Sequence, residues 1–190
     1  MAQKTIAIIG ATGRMGSAIT KALAKNNGNE LLLMARDQQK IKKLSDFLKE
    51  DYPSTSILTV QCSKNACWEA DIIILAIPAG EEAGVANYIK EVVTQKIVIS
   101  ISPETSLSQL QQVIPYSKIV KAFYANTPQE IKNAIPGKEI NSMIMSDDEE
   151  ALNSVSNLLR SIGLKPGEVL VKADEESGQR NGAQSLHNLH

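Results

Sequence analysis

The sequence predicts an α/β protein with a doubly wound, mostly parallel sheet of about eight strands. Short runs rich in isoleucine, leucine and valine alternate along the chain with longer segments of helical periodicity, as in parallel strands joined by helical crossovers. The apolar runs are nearly continuous, which is typical of strands that are covered on both faces. With 190 residues, of which 43% are hydrophobic, the chain is long enough for one domain with a sizeable core.

The β-rich runs and the periodic segments follow one another in a regular order. Strands are predicted at 5–10, 30–35, 56–61, 71–77, 96–101, 118–124, 141–146 and 167–172. Helices are predicted at about 14–26, 38–50, 80–93, 105–113 and 147–162, with Gly28 and Gly163 just past helix C-termini. We therefore expect one domain over residues 1–173, followed at 174–190 by a final helix or a flexible tail.

The composition excludes several classes of partner. The formal net charge is -1 and the basic residues are spread among acidic ones, so we expect no nucleic-acid or membrane partner. No apolar stretch approaches the roughly 20 residues of a membrane span, and the first apolar run is too short for a signal peptide, which predicts a cytoplasmic protein. Cys62 and Cys67, with His187 and His190, form a poor zinc set, so we expect unpaired thiols and no metal.

The first predicted strand runs directly into a glycine-rich turn, GATGRMG, in front of the first predicted helix. In a βαβ unit that binds a dinucleotide, the first glycine permits a sharp turn, the second lets the backbone approach the pyrophosphate, and the third lets the helix pack on the strand. Gly10, Gly13 and Gly16 occupy these places, and the helix N-terminus offers free N–H groups to phosphates. This pattern predicts a Rossmann-type fold with a dinucleotide site. The other residues of the turn assigned to the site are Thr12, Arg14 and Met15.

The end of the second strand predicts which nucleotide is bound. An acidic residue here accepts hydrogen bonds from the ribose of NAD, whereas an arginine favours the 2′-phosphate of NADP. The chain reads LLLMARDQQK, with Arg36 directly after the strand and Lys40 one helical turn further. A guanidinium offers paired donors to a phosphate and the lysine adds a second positive charge, so we expect NADP. Asp37 is the competing ribose ligand, and a solvated charge cluster is the alternative to both.

Two more predicted contact regions follow strands four and six, at the edge of the sheet where ligands of open α/β folds bind. After strand four, a small residue and a proline would let the nicotinamide ribose lie against the backbone. After strand six, the side chains of ANTP would hydrogen-bond the nicotinamide carboxamide or the substrate, although these residue types also favour ordinary turns. The residues concerned are Ala76, Ile77 and Pro78 in the first region and Asn126, Thr127 and Pro128 in the second.

Four segments in this order, IAIIGATGRMGSAI, MARDQQK, DIIILAIP and VKAFYANTP, carry a family resemblance over residues 4–173. The chain resembles the NADP-binding domain shared by the deazaflavin-dependent NADP oxidoreductases and pyrroline-5-carboxylate reductase. Its polar tail is similar to the short closing segment of the deazaflavin-dependent branch, which we favour. The resemblance to that branch implies hydride transfer between nicotinamide and a deazaflavin or flavin-like small molecule, with no catalytic residue assigned. A homodimer is compatible with this interpretation.

Two other functions stay open at the level of the sequence. SISPETSLSQLQQVIP and ANTP also resemble pyrroline-5-carboxylate reductase, but the chain stops about where the helical dimerisation domain of that enzyme would begin. The imine-reducing pocket is built on that domain, so the chain would be an imine-reductase relative without it or a fragment of such an enzyme. A non-catalytic regulator that binds NADP(H) with the same fold would share all of these features.

Overall fold

The computed structural model describes residues 3–26, 28–122, 126–135 and 140–171. The predicted final helix or tail at 174–190, including His187 and His190, lies outside the described residues, as does the end of predicted strand six at 123–124. All eight predicted strands are present within a few residues of their predicted bounds. They are β1 (Lys4–Ile9), β2 (Asn29–Met34), β3 (Ser56–Thr59), β4 (Ile72–Leu75), β5 (Ile97–Ser100), β6 (Lys118–Ala122), β7 (Ile140–Ser146) and β8 (Leu164–Leu170).

The eight strands form one sheet in the order β3-β2-β1-β4-β5-β6-β7-β8. Neighbouring strands from β3 to β6 pair in parallel, β7 runs antiparallel to β6, and β8 runs parallel to β7. The predicted mostly parallel α/β sheet is therefore confirmed. The chain builds outward from β1 in one direction to β3 and then in the other direction from β4, so the order of the strands reverses between β1 and β4.

The described residues contain seven α-helices and a short 3-10 helix at Lys90–Val92, which together with α4 replaces the predicted helix at 80–93. Two helices, α3 and α6, are absent from the sequence prediction because they have only 7 and 6 residues, too few for a periodic apolar stripe. None of the described helices is long and apolar enough to cross a lipid bilayer. The helices are α1 (Arg14–Ala24), α2 (Gln38–Asp51), α3 (Ser63–Glu69), α4 (Ala79–Ile89), α5 (Leu107–Val113), α6 (Pro128–Asn133) and α7 (Glu149–Ser161).

The sheet has a hydrophobic core on each face. Along β1, Ile6 and Ile8 pack into the core that includes α1, α2 and α7. Ala7 and Ile9 point to the opposite face and pack into the core that includes α3, α4 and α5. Burial on both faces explains why the strands consist almost entirely of apolar residues. Polar side chains that serve a ligand are accordingly concentrated at the ends of the strands.

The turn from α7 into β8 depends on a glycine in a left-handed conformation. Gly163 has φ +85°, and β8 begins directly after it at Leu164 rather than at the predicted residue 167. A side chain at Gly163 would also collide with the backbone of Ile135, which lies against the turn. The prediction that Gly163 follows a helix C-terminus is confirmed, and the tight turn explains why the strand begins earlier than its apolar pattern indicates.

We expect Gly163→Ala to destabilise the fold by at least about 1 kcal/mol, because alanine disfavours positive φ and its methyl group would meet the backbone of Ile135. Urea unfolding followed by circular dichroism measures the change. Gly84→Ala, in α4, is the matched control: no atom lies within 4 Å of the new methyl group, so this variant should be neutral or slightly stabilised. Equal stability of the two variants would contradict the assigned role of Gly163.

Candidate functional site

A crevice of about 720 Å³ opens at the carboxyl ends of β1, β2 and β4. It lies where the strand order reverses, which is the place where open α/β sheets bind their ligands. Eight of the predicted site residues line it, and they come from the glycine turn, the end of β2 and the end of β4. These residues are Gly10, Thr12, Gly13, Arg36, Lys40, Ala76, Ile77 and Pro78.

The glycine turn brings α1 against the sheet more closely than other residues would allow. Gly10 has φ +89°, and a Cβ there would collide with the carbonyl oxygen of Ala76. A Cβ at Gly16 would collide with the carbonyl oxygen of Gly10. At Gly13 the nearest atom to an added Cβ is 3.3 Å away, so internal packing restricts this position less. Because Gly13 lines the crevice, its missing side chain mainly leaves room for a ligand.

The N-terminus of α1 faces this part of the crevice without a side-chain cap. Gly13 is the N-cap residue of this 11-residue helix and makes no side-chain hydrogen bond. The first N–H groups of an α-helix have no partner inside the helix and attract anions. Arg14, Met15 and Gly16 form the first turn; Met15 packs on the core and Gly16 is buried, so these two offer their backbone here, whereas the side chain of Arg14 is exposed.

The charged residues at the end of β2 form two ion pairs, Arg36 with Glu81 and Lys40 with Asp37. Arg36 is 87% exposed, and its Nη1 lies 3.3 Å from Glu81 Oε1 on α4, across the crevice. Asp37 is the N-cap of α2 and accepts hydrogen bonds from the backbone N–H groups of Gln39 and Lys40, both at 3.0 Å. The backbone N–H of Lys40, followed by its side chain and charge, holds the pKa of Asp37 below its usual value. Asp37 is thus engaged by α2, while Arg36 is held only by an exposed ion pair.

The predicted residues after β6 lie apart from the crevice. Thr127 caps α6 in a reciprocal arrangement in which its hydroxyl accepts from the Glu130 N–H at 3.2 Å, and Pro128 is the first residue of that helix. Asn126 is buried and donates from Nδ2 to the carbonyl oxygen of Asn141 at 2.8 Å. Its Oδ1 has no hydrogen-bond partner among the described residues. The fold therefore uses the capping residues of this segment, and Asn126 Oδ1 is a buried polar atom without a partner among the described residues.

Several crevice residues were not predicted because no local pattern marks them. Glu81 lies on α4. Gln61 and Ser63 follow β3, which ends at the same edge of the sheet. The rule that parallel strands end at a common edge points to residues after β3, but their polar types are common in any loop. Nothing in the sequence indicates that Glu81 pairs with Arg36, because the two residues meet only through the topology of the sheet.

The two cysteines are free thiols with opposite environments. Burial raises the pKa of Cys67 to about 12. Backbone hydrogen bonds from Asn65 and Lys64 lower the pKa of Cys62. Among the described residues, no group of three or more histidine, cysteine, aspartate or glutamate side chains is placed to hold a metal ion.

A doubly wound sheet with a three-glycine turn at its switch point defines the class of Rossmann-type nucleotide-binding proteins. Residues 5–104 match the family model described as NADP oxidoreductase, coenzyme F420-dependent, so the chain belongs to this family of NADP-dependent oxidoreductases. The matched range spans β1 to β5 and contains every residue that lines the crevice. The family resemblance and the NADP cofactor predicted from the sequence are thereby confirmed.

A relative in sequence agrees with this membership, and two solved structures share the fold. An F420-dependent NADP reductase from Methanocaldococcus jannaschii is 27% identical over 179 residues, which is 83% of this chain and 79% of that protein. A pyrroline-5-carboxylate reductase from Coxiella burnetii has a similar fold, with a TM-score of 0.69, 22% identity and coverage of 90% of this chain and 60% of that one. Pyrroline carboxylate reductase from Plasmodium falciparum, solved with NADP bound, has a TM-score of 0.68, 19% identity and coverage of 87% and 57%. The chain therefore spans less than two thirds of these reductase structures.

We expect Arg36→Ala to weaken NADPH binding by about 10- to 100-fold and to leave NADH binding unchanged, because a charge-assisted contact to the 2′-phosphate would be lost. Fluorescence titration with each nucleotide measures the ratio. Arg160→Ala is the matched control, since Arg160 pairs with Glu168 of β8 and does not line the crevice. Unchanged selectivity for NADPH over NADH in Arg36→Ala would contradict the role assigned to Arg36.

We expect Glu81→Gln to strengthen NADPH binding, by about fivefold at most, because it frees Arg36 from an exposed ion pair and removes a negative charge from the crevice. NADH binding should change little, and the gain should shrink as salt is added. The same titrations check this result. Glu149→Gln, an equal change of charge at an exposed position of α7, should leave both affinities unchanged; weaker NADPH binding by Glu81→Gln would overturn this interpretation.

Proposed function

We propose that the chain transfers a hydride between the nicotinamide of NADP(H) and a deazaflavin of the coenzyme F420 type. The observation that carries this proposal is the match of residues 5–104 to the F420-dependent family, because that range contains the whole crevice. The name of the relative from Methanocaldococcus jannaschii supports the same reaction. A cytoplasmic location and a homodimer remain predictions from the sequence.

The crevice has the donors and the space that NADP requires. Gly10, Thr12 and Gly13 would hold the pyrophosphate, with the uncapped N-terminus of α1 behind them. Arg36 and Lys40 would hold the 2′-phosphate, since both side chains are exposed at the end of β2. Arg14, Met15 and Gly16 would contribute the first turn of the helix.

The residues after β4 and β6 would serve the nicotinamide end. Ala76, Ile77 and Pro78 line the crevice and would support the nicotinamide ribose through their backbone. Asn126 Oδ1 has no partner among the described residues, but it is buried apart from the crevice, so a hydrogen bond from a carboxamide would require this turn to move. Thr127 and Pro128 would act by shaping this turn, because the hydroxyl of Thr127 already caps α6.

The reaction places modest demands on the protein. When bound, NADPH supplies the hydride, so the chain has to position two flat rings and exclude water rather than provide a nucleophile. The residues that line the crevice are consistent with this, because they include neither histidine nor cysteine. We therefore assign no catalytic nucleophile.

Reduction of an imine is the second candidate, favoured by the likeness of the fold to pyrroline-5-carboxylate reductase. The chain spans 60% and 57% of those two structures, so the remainder of each has no counterpart in the compared part of this chain. A regulator that binds NADP(H) without turnover is the third. The imine reductase and the regulator each predict a different experimental result from that of the deazaflavin proposal.

The test is oxidation of NADPH followed by absorbance, with coenzyme F420, FMN and pyrroline-5-carboxylate supplied separately to the purified chain. The proposal expects turnover with coenzyme F420, and faster turnover with NADPH than with NADH. Turnover only with pyrroline-5-carboxylate would establish the imine reductase instead. Tight NADPH binding without turnover of any acceptor would overturn the proposal in favour of a regulator.

A further inference from the structure

Three polar side chains form a buried chain across α4, β5 and β6. Glu82 and Ser100 are fully buried, and Lys121 is 6% exposed. Lys121 Nζ donates to Ser100 Oγ at 2.9 Å, and Ser100 Oγ donates to Glu82 Oε1 at 2.9 Å. Lys121 Nζ also donates to the carbonyl oxygen of Ser102. A lysine and a carboxylate are thus joined through one hydroxyl group.

The Ser100 hydroxyl group allows a proton to pass in either direction between Lys121 and Glu82. Ser100 Oγ both accepts and donates, so the same two distances suit an ionised pair and a pair in which the proton has moved from Lys121 to Glu82. Such a shift needs only short movements of hydrogen atoms. The heavy atoms can stay in place.

The surroundings favour proton exchange between the two ends. Burial raises the pKa of Glu82, and the side chains of Thr105 and Ser100 and the charge of Lys121 oppose that increase. Burial lowers the pKa of Lys121, and the charge of Glu82 opposes that decrease. Among the described residues, each of the two is the only charged side chain that acts on the pKa of the other. Both shifts bring the neutral forms closer in free energy to the ionised pair.

Packing alone does not explain these residue types. The neighbours of Ser100 and Lys121 along the strands, Ile99 and Val120, are fully buried and apolar. Replacing a buried ion pair by apolar residues of similar volume is often neutral or stabilising, so a fold has no general need for such a pair. Buried groups with displaced pKa values are concentrated at functional sites.

The hydrogen-bonded series of Glu82, Ser100 and Lys121 lies close to the ligand edge of the sheet and to solvent. Ser100 is the last residue of β5 and Lys121 is next to the last residue of β6, in the half of the sheet beyond the switch point. A dinucleotide bound across the switch point would extend from the crevice toward these strand ends. At the same edge, an open groove of about 400 Å³ between the N-terminal parts of α4 and α5 is lined by Thr105, whose side chain faces the Glu82 carboxylate. No donor among the described residues bonds to Glu82 Oε2.

We propose that Glu82, Ser100 and Lys121 form a proton relay that carries a proton from the α4–α5 groove to the nicotinamide end of the crevice. This inference rests on the proposed function, because it assigns the source of the proton that accompanies reduction of the acceptor. The relay delivers a proton from Lys121 Nζ and takes up a proton at the Glu82 carboxylate, whose Oε1 faces Ser100.

The step balances for reduction of a deazaflavin by NADPH. The acceptor gains a hydride, with its electron pair, from NADPH, which becomes NADP⁺, and it gains a proton from Lys121 as the Nζ–H bond breaks. Water in the groove then protonates the Glu82 carboxylate through the Thr105 hydroxyl, and the Ser100 hydroxyl gives its proton to neutral Lys121 while it takes the proton from Glu82 Oε1. This restores the ionised pair, so each turnover consumes one proton from solvent.

The first test counts protons without an acceptor. Isothermal titration calorimetry of NADP⁺ and of NADPH, in buffers with different ionisation enthalpies, gives the number of protons exchanged on binding. The two nucleotides differ in charge only at the nicotinamide, whose positive charge in NADP⁺ favours release of a proton from a nearby acid. We expect NADP⁺ to release more protons than NADPH, and Glu82→Gln to abolish this difference. Glu149→Gln is the matched control and should retain it.

The second test separates proton transfer from a structural role. Lys121→Arg keeps the positive charge and the donors, but a guanidinium does not give up a proton in a protein. We expect this variant to slow acceptor reduction by about 100-fold, with an unchanged KM for NADPH. Lys118→Arg, in the same strand at the opposite edge of the sheet, should retain the wild-type rate.

Either test can overturn the relay. An equal proton count for NADP⁺ and NADPH in the wild-type protein would do so, and this result needs no variant to fold. A wild-type rate and pH profile in Lys121→Arg would also do so, because the three side chains would then only support the fold. If no acceptor is reduced but the proton difference is found and Glu82→Gln abolishes it, the proposed function fails while the proton-holding part of the relay stands.

Discussion

The close approach of the β1–α1 turn to β4 is the constraint on which the crevice depends. Gly10 and Gly16 have no room for a Cβ, because the carbonyl oxygens of Ala76 and Gly10 occupy that space. The N–H groups of Gly10 and Ala11 both donate to Met34 O at 2.9 Å, which ties the turn to the end of β2 as well. Three strand ends are thus held around one helix N-terminus, and an anion at this point meets backbone donors whose positions are set before it binds.

This arrangement determines which charges face each other. The ends of β2 and β4 stand on either side of β1, so Arg36 and Glu81 approach across the crevice although they are far apart in the sequence. Asp37 is adjacent to Arg36 but is engaged by the N-terminus of α2. A phosphate that reached Arg36 and Lys40 would have to replace only exposed ion pairs of small energetic value, with Glu81 and with Asp37. In the proposed complex, selectivity for the phosphate would therefore require little rearrangement.

Local patterns in the sequence predict the strands and the glycine turn, because each depends on residues close together in the chain. Runs rich in isoleucine, leucine and valine mark β1 to β6, and Gly10 to Gly16 mark the turn into α1. The short helices α3 and α6 cannot be predicted in this way, because 7 and 6 residues are too few to show a helical period of apolar residues. Local patterns also cannot predict the buried contacts of Glu82, because Ser100 and Lys121 lie 18 and 39 positions further along the chain. One signal was present: Lys121 is a charged residue inside a run, KIVKA, that reads as a buried strand.

Charged side chains at the two halves of the sheet edge differ in their exposure to solvent, and they therefore respond differently to a new charge. Beside β2, Arg36 and Lys40 are exposed, so water screens their pairs and they can change partners at little cost. Beside β5 and β6, Lys121 and Glu82 are buried, so neither can leave its partner without a large desolvation penalty. A buried pair of this kind responds to a new charge nearby by moving a proton rather than a side chain. The exposed half is therefore suited to capture a phosphate, and the buried half to follow the charge of a nicotinamide as it gains or loses a hydride.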